Sequence, residues 1–365
     1  MSSRRTFLRT TAAAASGALL AGWRPSPADA AIIGAGPAPL RILVLGGTGF
    51  IGPHQVRHAV ARGHTVSTFT RGRRTADLPS SVEQLNGDRD GQLGALAGRT
   101  WDVVIDSQAT NPSWVRQSTA LLRGAAAKYL YISSTGVYHP YRAPRIDETT
   151  PVRMSMDEEG ADNYGVQKSQ SEQIAREAFG DGAIILRPTY IVGPGDTSDR
   201  FPYWPVRLAR GGEALVPGKR TDAVQFVDVR DLAEWMVRLA ESGAGGTYNV
   251  AGPRETLAME RFVEESRAAI GSDARLTWVD DYDFLTEQKL LYAIPWVMPR
   301  GDTLGSAGIS NARSVAAGLT FRPLATTVRD TLAWWPTVPA ERRANPRFVL
   351  TPEREAEILA AWKAR

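Results

Sequence analysis

From Arg41 onward, short apolar runs of strand length alternate with stretches whose apolar positions recur at helical spacing. RILVL, TVSTFT, DVVID, KYLYI and AIILR predict parallel strands, and VEQLN a weaker one. Between them, PHQVRHAVARG places Val56, Ala59 and Val60 at i, i+3 and i+4, the stripe of a helix packed on a sheet. Strand, helix, strand at this repeat predicts an α/β fold with a doubly wound parallel sheet. The pattern loosens past Gly193 into Pro-, Trp- and Arg-rich stretches, and VQFVDVRDLAEW then reads as a return to the sheet. This organisation predicts a main domain over 41–189 plus 223–244 and a smaller substrate lobe over 190–222 plus 245–345. A last segment, 346–365, carries a helix opened by Thr351 and Pro352, a good cap and first-turn pair. Its Ile358, Leu359 and Trp362 form one apolar face suited to covering the core. AIIGAGPAP, within 31–40, reads as a linker.

Ahead of that linker, SRRTFLR precedes an Ala-rich apolar run from Thr10 to Gly22, too short to span a bilayer. Ala28-Asp29-Ala30 follows, with small residues where a signal peptidase reads. Residues 1–30 resemble a twin-arginine signal, whose pathway moves folded proteins; the resemblance implies export to the periplasm or beyond, with no stable membrane insertion of the mature chain. Loss of that segment removes Arg4, Arg5, Arg9, Arg24 and Asp29, and the formal excess of +4 falls to +1. No broad positive field remains for nucleic acid or an anionic membrane. The chain has no cysteine, so no disulfide can form. Its four histidines, His54, His58, His64 and His139, have no ligand-like grouping with acids, and no metal is expected.

Candidate chemistry begins at LVLGGTGFIG, between the first strand and the first helix. In a Rossmann-type unit Gly46 permits the tight turn, Gly49 lets the backbone approach a pyrophosphate, and Gly52 lets helix and strand pack closely. Thr48, Phe50 and Ile51 belong to the same cofactor loop, and the phosphates would face the helix N-terminus. The second strand ends in TFTRGRR. A carboxylate is the usual partner of an unphosphorylated ribose at that place, but Thr70 stands there, followed by Arg71, Arg73 and Arg74. Guanidinium groups suit a 2′-phosphate, so NADP is expected in preference to NAD, with Arg71 the leading contact.

YISSTGVY then closes the fourth strong strand, and YGVQK follows with Tyr164 and Lys168 four apart, on one face of a helix beginning there. GGTGFIG, DVVIDSQA, ISSTGVY, YGVQK, RPTYIVGPGD and QFVDVRDLA occur in the order of the extended short-chain dehydrogenase/reductase family, the nucleotide-sugar epimerase and dehydratase group, which the chain resembles from Arg41 to about Pro336. The resemblance implies that Tyr164 exchanges a proton with the substrate oxygen, that Lys168 lowers the Tyr164 pKa and holds the nicotinamide ribose, and that Ser134 bonds the reacting oxygen. Ser133 and Thr135 remain alternatives for that last role. Asp88, after VEQLNG, is implied to bond the adenine edge.

Dehydratases of this group carry an Asp-Glu pair where Thr135 and Gly136 stand, so elimination of water is disfavoured. Epimerisation through a transient ketone, or net oxidation or reduction, remains. An exported enzyme has no ready supply of free cofactor, which favours hydride-neutral chemistry with a tightly held cofactor on a sugar-like or polyhydroxylated small molecule. An NADP-dependent oxidoreductase is the alternative. A non-catalytic relative like the plastid RNA-binding members ranks lower, because Ser134, Tyr164 and Lys168 are all present. A homodimer is compatible with the sequence, and Arg220 and Arg313 are the candidate diphosphate contacts of the smaller lobe.

Overall fold

The computed structural model describes residues 38–107 and 110–365. Residues 1–30, where the sequence reading expects an export signal, and most of 31–40 lie outside the described residues. Seven strands form a parallel sheet: β1 (Arg41–Leu45), β2 (Thr65–Thr70), β3 (Glu83–Asn86), β4 (Trp101–Asp106), β5 (Ala126–Ile132), β6 (Ala183–Pro188) and β7 (Gly246–Val250). Their order is β7-β6-β5-β4-β1-β2-β3, with the reversal between β1 and β4 that defines a doubly wound sheet. All five strong predicted strands are present, and VEQLN supplies β3.

Alternation along each strand sends side chains to opposite faces, and both faces are covered. Ile42, Val44, Val103, Ile105, Leu130 and Ile132 point to one side. There they meet Val56 and Ala59 of α1 (Gly52–Ala61), and Leu232, Trp235 and Met236 of a later helix, Val229–Ser242. Leu43, Leu45, Val104, Tyr129 and Tyr131 point to the other side. Val115 and Leu122 of α2 (Pro112–Leu122) and Ile174 and Ala175 of α3 (Asn163–Phe179) close over them. Each such fully buried aliphatic contributes about 1.5–3 kcal/mol, and two-sided burial is what parallel pairing requires.

Two expectations of strand membership are corrected. Ala223–Asp228 does not return to the main sheet; it is the middle strand of a separate three-stranded sheet, antiparallel to Gly252–Ala258 and parallel to Ile191–Val192. The strand that returns is β7, which pairs in parallel with β6 from Gly246↔Ile184 to Val250↔Pro188. The helix after Asp228 does pack on the main sheet, so the chain crosses between the two layers twice within about thirty residues.

The second core gathers Trp204, Phe226, Phe262 and Trp296 beside a two-stranded parallel pair, Glu213–Pro217 with Arg275–Val279. The last helix, Pro352–Lys363, is capped by Thr351, whose hydroxyl accepts from the Arg354 amide at 3.2 Å. Its Ile358 and Leu359 enter this core and Trp362 packs at its margin, as the sequence predicts. Buried Glu355 anchors it, accepting from Arg207 Nε at 2.6 Å and from the Leu215 amide at 3.0 Å.

Candidate active site

The glycine loop joins β1 to α1. Gly46 has φ 99°, a conformation that favours glycine, and its amide donates to the Phe69 carbonyl of β2 at 3.0 Å. A Cβ on Gly52 would lie 2.4 Å from the Gly47 carbonyl carbon, so the helix start and the loop touch. The first turn of α1 carries Pro53, no acidic residue and no side-chain cap. The His54 and Gln55 amides turn back to the Ile51 carbonyl at 3.2 Å, and the positive dipole end of the helix suits an anion. Ile51 turns its side chain into the core, leaving only its backbone to the loop.

A cavity of about 430 Å³ runs from Gly46, Thr48 and Gly49 to Arg71 and Asp88. Arg71, Arg73 and Arg74 are exposed on its rim. Among the described residues none of the three forms an ion pair, and β2 ends in Thr70 rather than in a carboxylate. Asp88 lies on the same wall and accepts from the Asp90 amide at 3.2 Å. A dinucleotide fits this chain: glycine backbone where a pyrophosphate must approach, the positive end of a helix dipole, and a cavity leading away toward cationic side chains.

Behind that wall Arg89 and Asp106 form a buried fork, 2.6 Å from Nη1 to Oδ1 and 2.5 Å from Nη2 to Oδ2. The Tyr129 hydroxyl donates to the same carboxylate at 2.6 Å. Burial alone would raise the Asp106 pKa, but Arg89 and these bonds outweigh it and hold the carboxylate ionised. The charge matters because Asp106 acts on Lys168.

A second cavity, about 580 Å³, holds Ser134, His139, Tyr164 and Arg200. Phe50 lines it and, with Thr48 and Gly49, an adjoining hollow. Asp162 caps α3 by accepting from the Gly165 amide at 2.9 Å, which sets Tyr164 in the first turn and Lys168 in the next. The Ser134 hydroxyl shares this cavity with the Tyr164 phenol, whose pKa it draws down, and it accepts from the Gly136 amide at 3.0 Å. Thr135 is occupied with Tyr141 instead, and Ser133 is buried on the Glu172 side. Of the three neighbouring hydroxyls, Ser134 is the one that meets Tyr164.

Tyr164 is 47% exposed because it opens into the cleft. The cleft walls still desolvate the phenol and raise its pKa, while Ser134 and the charge of Arg200 draw it down. Lys168 was expected to do the lowering; in this structure its ammonium donates to the Ile132 carbonyl at 2.9 Å and lies 6.0 Å from the Tyr164 ring centre. Burial pushes the Lys168 pKa to about 8, with Asp106 pulling it back up and Arg89 pressing it down.

The structure brings Ser134, Tyr164 and Lys168 together, and groups Gly46, Thr48, Gly49, Arg71 and Asp88 around the first cavity. Arg220 and Arg313 lie elsewhere. Arg220 pairs with Glu260 at 2.7 Å and covers Trp278, and Arg313 lies over Tyr248. Sequence reasoning did not find Arg89, Asp106 or Arg200, nor the buried Glu172–Arg187 pair at 2.6 Å. An acid closing an apolar strand, as Asp106 does in DVVID, is the one local signal that pointed to any of them.

Sheet order and glycine loop define a Rossmann-type fold, with Ser134, Tyr164 and Lys168 gathered at one end of it. A family model described as the NAD dependent epimerase/dehydratase family matches residues 42–251, and the chain belongs to that family. It is 27% identical over 233 residues to the Arabidopsis thaliana chloroplast stem-loop binding protein of 41 kDa b, a match spanning 59% of each chain. It is 28% identical over 257 residues to a Streptomyces sp dTDP-4-dehydro-6-deoxy-D-allose reductase, over 60% of this chain and 78% of the relative. Among solved structures, the Bordetella bronchiseptica enzyme WbmH in complex with NAD+ shares the fold with TM-score 0.61 and 16% identity, covering 82% of this chain and 99% of that one.

Proposed function

We propose that the chain is an NAD(P)-dependent epimerase acting on a sugar-like or polyhydroxylated small molecule through a transient ketone, with its cofactor tightly held. The observation that carries this reading is the meeting of Ser134 and Tyr164 in one cleft, with Lys168 one helical turn on. A bound nicotinamide dinucleotide would supply hydride acceptance and return. Tyr164 takes the proton from the substrate hydroxyl at its phenol oxygen and returns it. Ser134 orients the reacting oxygen and stabilises charge on it. Lys168, held against the Ile132 carbonyl, reaches the cofactor ribose and keeps a positive charge beneath the site below about pH 8. Gly136 sits against the phenol: a Cβ there would lie 3.0 Å from Tyr164 Cε1, so a larger residue would need the ring to give by a few tenths of an ångström.

Arg71, Arg73 and Arg74, without an ion pair among the described residues, favour NADP over NAD. SRRTFLR supports export by the twin-arginine route, which would carry the loaded protein across and favours chemistry that returns its hydride to the same substrate. The named activity of the Streptomyces relative favours the second reading, a net NADP-dependent reductase. Turnover of polyhydroxylated substrates by purified protein separates the two. An epimerase gives product repeatedly with no added cofactor and no net change in absorbance at the reduced nicotinamide band. Product formed only in proportion to supplied NADPH would replace the epimerase reading with the reductase one. In either case Tyr164→Phe should retain the dinucleotide and lose at least about a hundredfold in turnover.

A further inference from the structure

One stretch, residues 194–200, walls both the Tyr164 cleft and the space beside the glycine loop. Asp196 and Ser198 line the cleft, Pro194 and Gly195 line a hollow of about 750 Å³ that also holds Thr48 and Gly49, and Thr197 lines both. A Cβ on Gly195 would lie 3.4 Å from Phe50 Cδ2, so the stretch rests on the glycine loop. Asp199 within it has φ 62°, a conformation that a non-glycine residue keeps where its surroundings fix it. Those surroundings come from far along the chain. Arg342 bonds both oxygens of the fully buried Asp199 carboxylate and donates through Nη2 to the Asp196 carbonyl at 2.9 Å. The Arg347 amide adds a bond to Asp199 Oδ2 at 3.1 Å.

The segment that supplies these donors is itself anchored. Trp335 stacks on Phe348 with 5.3 Å between ring centres, and Phe348 meets buried Tyr203 edge-on at 5.7 Å. The Arg342 guanidinium lies 5.9 Å from the ring centre of Trp334 and 6.0 Å from that of Trp335, and Trp334 lines the hollow beside Thr48 and Gly49. We propose that Trp334–Phe348 is a clasp that retains the dinucleotide: Arg342 is a positioning residue that fixes the 194–200 stretch, and Trp334 is a wall of the pyrophosphate seat. The proposal rests on the functional reading above, which seats the nicotinamide in the Tyr164 cleft, and it gives the tightly held cofactor a structural cause. Without Arg342 the buried Asp199 carboxylate keeps a backbone amide as its partner but loses its ion pair, so the stretch loosens and opens more often. Opening of a wall shows in the rate at which a ligand leaves. The adenine half, seated toward Arg71 and Asp88 in the other cavity, should not sense it.

The test uses the full chain loaded with NADPH and chased with excess NADP+ in a stopped-flow fluorimeter, with adenosine 2′,5′-bisphosphate, which lacks the nicotinamide half, as competitor. Arg342→Ala and Trp334→Ala should each release NADPH at least about tenfold faster than the parent, and Arg342→Lys should fall between. The inhibition constant of adenosine 2′,5′-bisphosphate should stay within about twofold of the parent value in every variant. If the parent holds NADH in preference, NADH, NAD+ and ADP take the places of the three probes. If Arg342→Ala folds poorly, Trp334→Ala decides, because that side chain borders the hollow and is no partner of Asp199. Release from Trp334→Ala at the parent rate, or an adenine-half probe weakened as much as the dinucleotide, overturns the inference. A parent that binds neither dinucleotide overturns the functional reading instead.

Discussion

Lys168 is the group whose environment makes the most quantitative prediction. It is 5% exposed, donates to a backbone carbonyl, and has Asp106 and Glu172 on one side of its charge balance and Arg89 on the other. Its pKa of about 8 lies below the ordinary lysine value of 10.5. Between those values the unfolded chain holds a proton that the folded chain has released. Unfolding then takes up a proton, so stability rises with pH across this window and is level below it. The full shift corresponds to roughly 3 kcal/mol, at about 1.4 kcal/mol per pH unit. Lys168→Met keeps the stem, removes the titration and leaves the Ile132 carbonyl unbonded, an offset that does not vary with pH. Urea unfolding of parent and variant, without cofactor, from pH 7 to 10 provides the assay. The stability difference, parent minus variant, should be constant up to about pH 8 and then grow in favour of the parent. A difference that stays flat or shrinks above pH 8 would refute the desolvated ammonium.

Arg71→Ala should narrow the affinity gap between NADP+ and NAD+ by about 1–3 kcal/mol; equal affinities in the parent, by calorimetry, would reject the reading of the arginine rim. Gly52→Ala places a methyl against the Gly47 carbonyl and should cost about 1–3 kcal/mol in denaturant unfolding, with weaker dinucleotide binding; a variant as stable as the parent would show that loop and helix do not touch. Arg342→Ala strips the partner from Asp199, a fully buried carboxylate at φ 62°. Because the arginine is partly exposed, a loss of about 2–4 kcal/mol is expected, somewhat under that for a wholly buried pair, and proteolysis should quicken within residues 195–200; no change in either would mean the loop is held by other contacts.

The strands on both sides of β1 were legible because each is an apolar run long enough to be covered on two faces, and their order follows from short right-handed connections. Ala223–Asp228 and β7 show the limit of that reading. VQFVD is as apolar as a central strand, and GTYNV, preceded by SGAG, is barely apolar at its start, yet the second is the one that pairs with β6. Which edge a strand joins depends on partners distant in sequence, and no local pattern encodes them. The site divides the same way. Gly46, Tyr164 and Lys168 stand at fixed spacings within single motifs and could be read directly. The Arg89–Asp106 pair spans 17 residues and two loops, which only the folded chain brings together.

The central claim is that this chain holds a nicotinamide dinucleotide against the Gly46–Gly52 loop. Native mass spectrometry of the protein as purified tests it most directly, with Gly49→Val as the control that blocks the pyrophosphate approach. The account predicts a mass increment of about one dinucleotide per parent chain, matching NADP in preference to NAD, and bare protein for the variant, since a slowly dissociating ligand survives isolation. A parent that is bare and takes up neither dinucleotide when supplied, or a Gly49→Val protein loaded as fully as the parent, would contradict it.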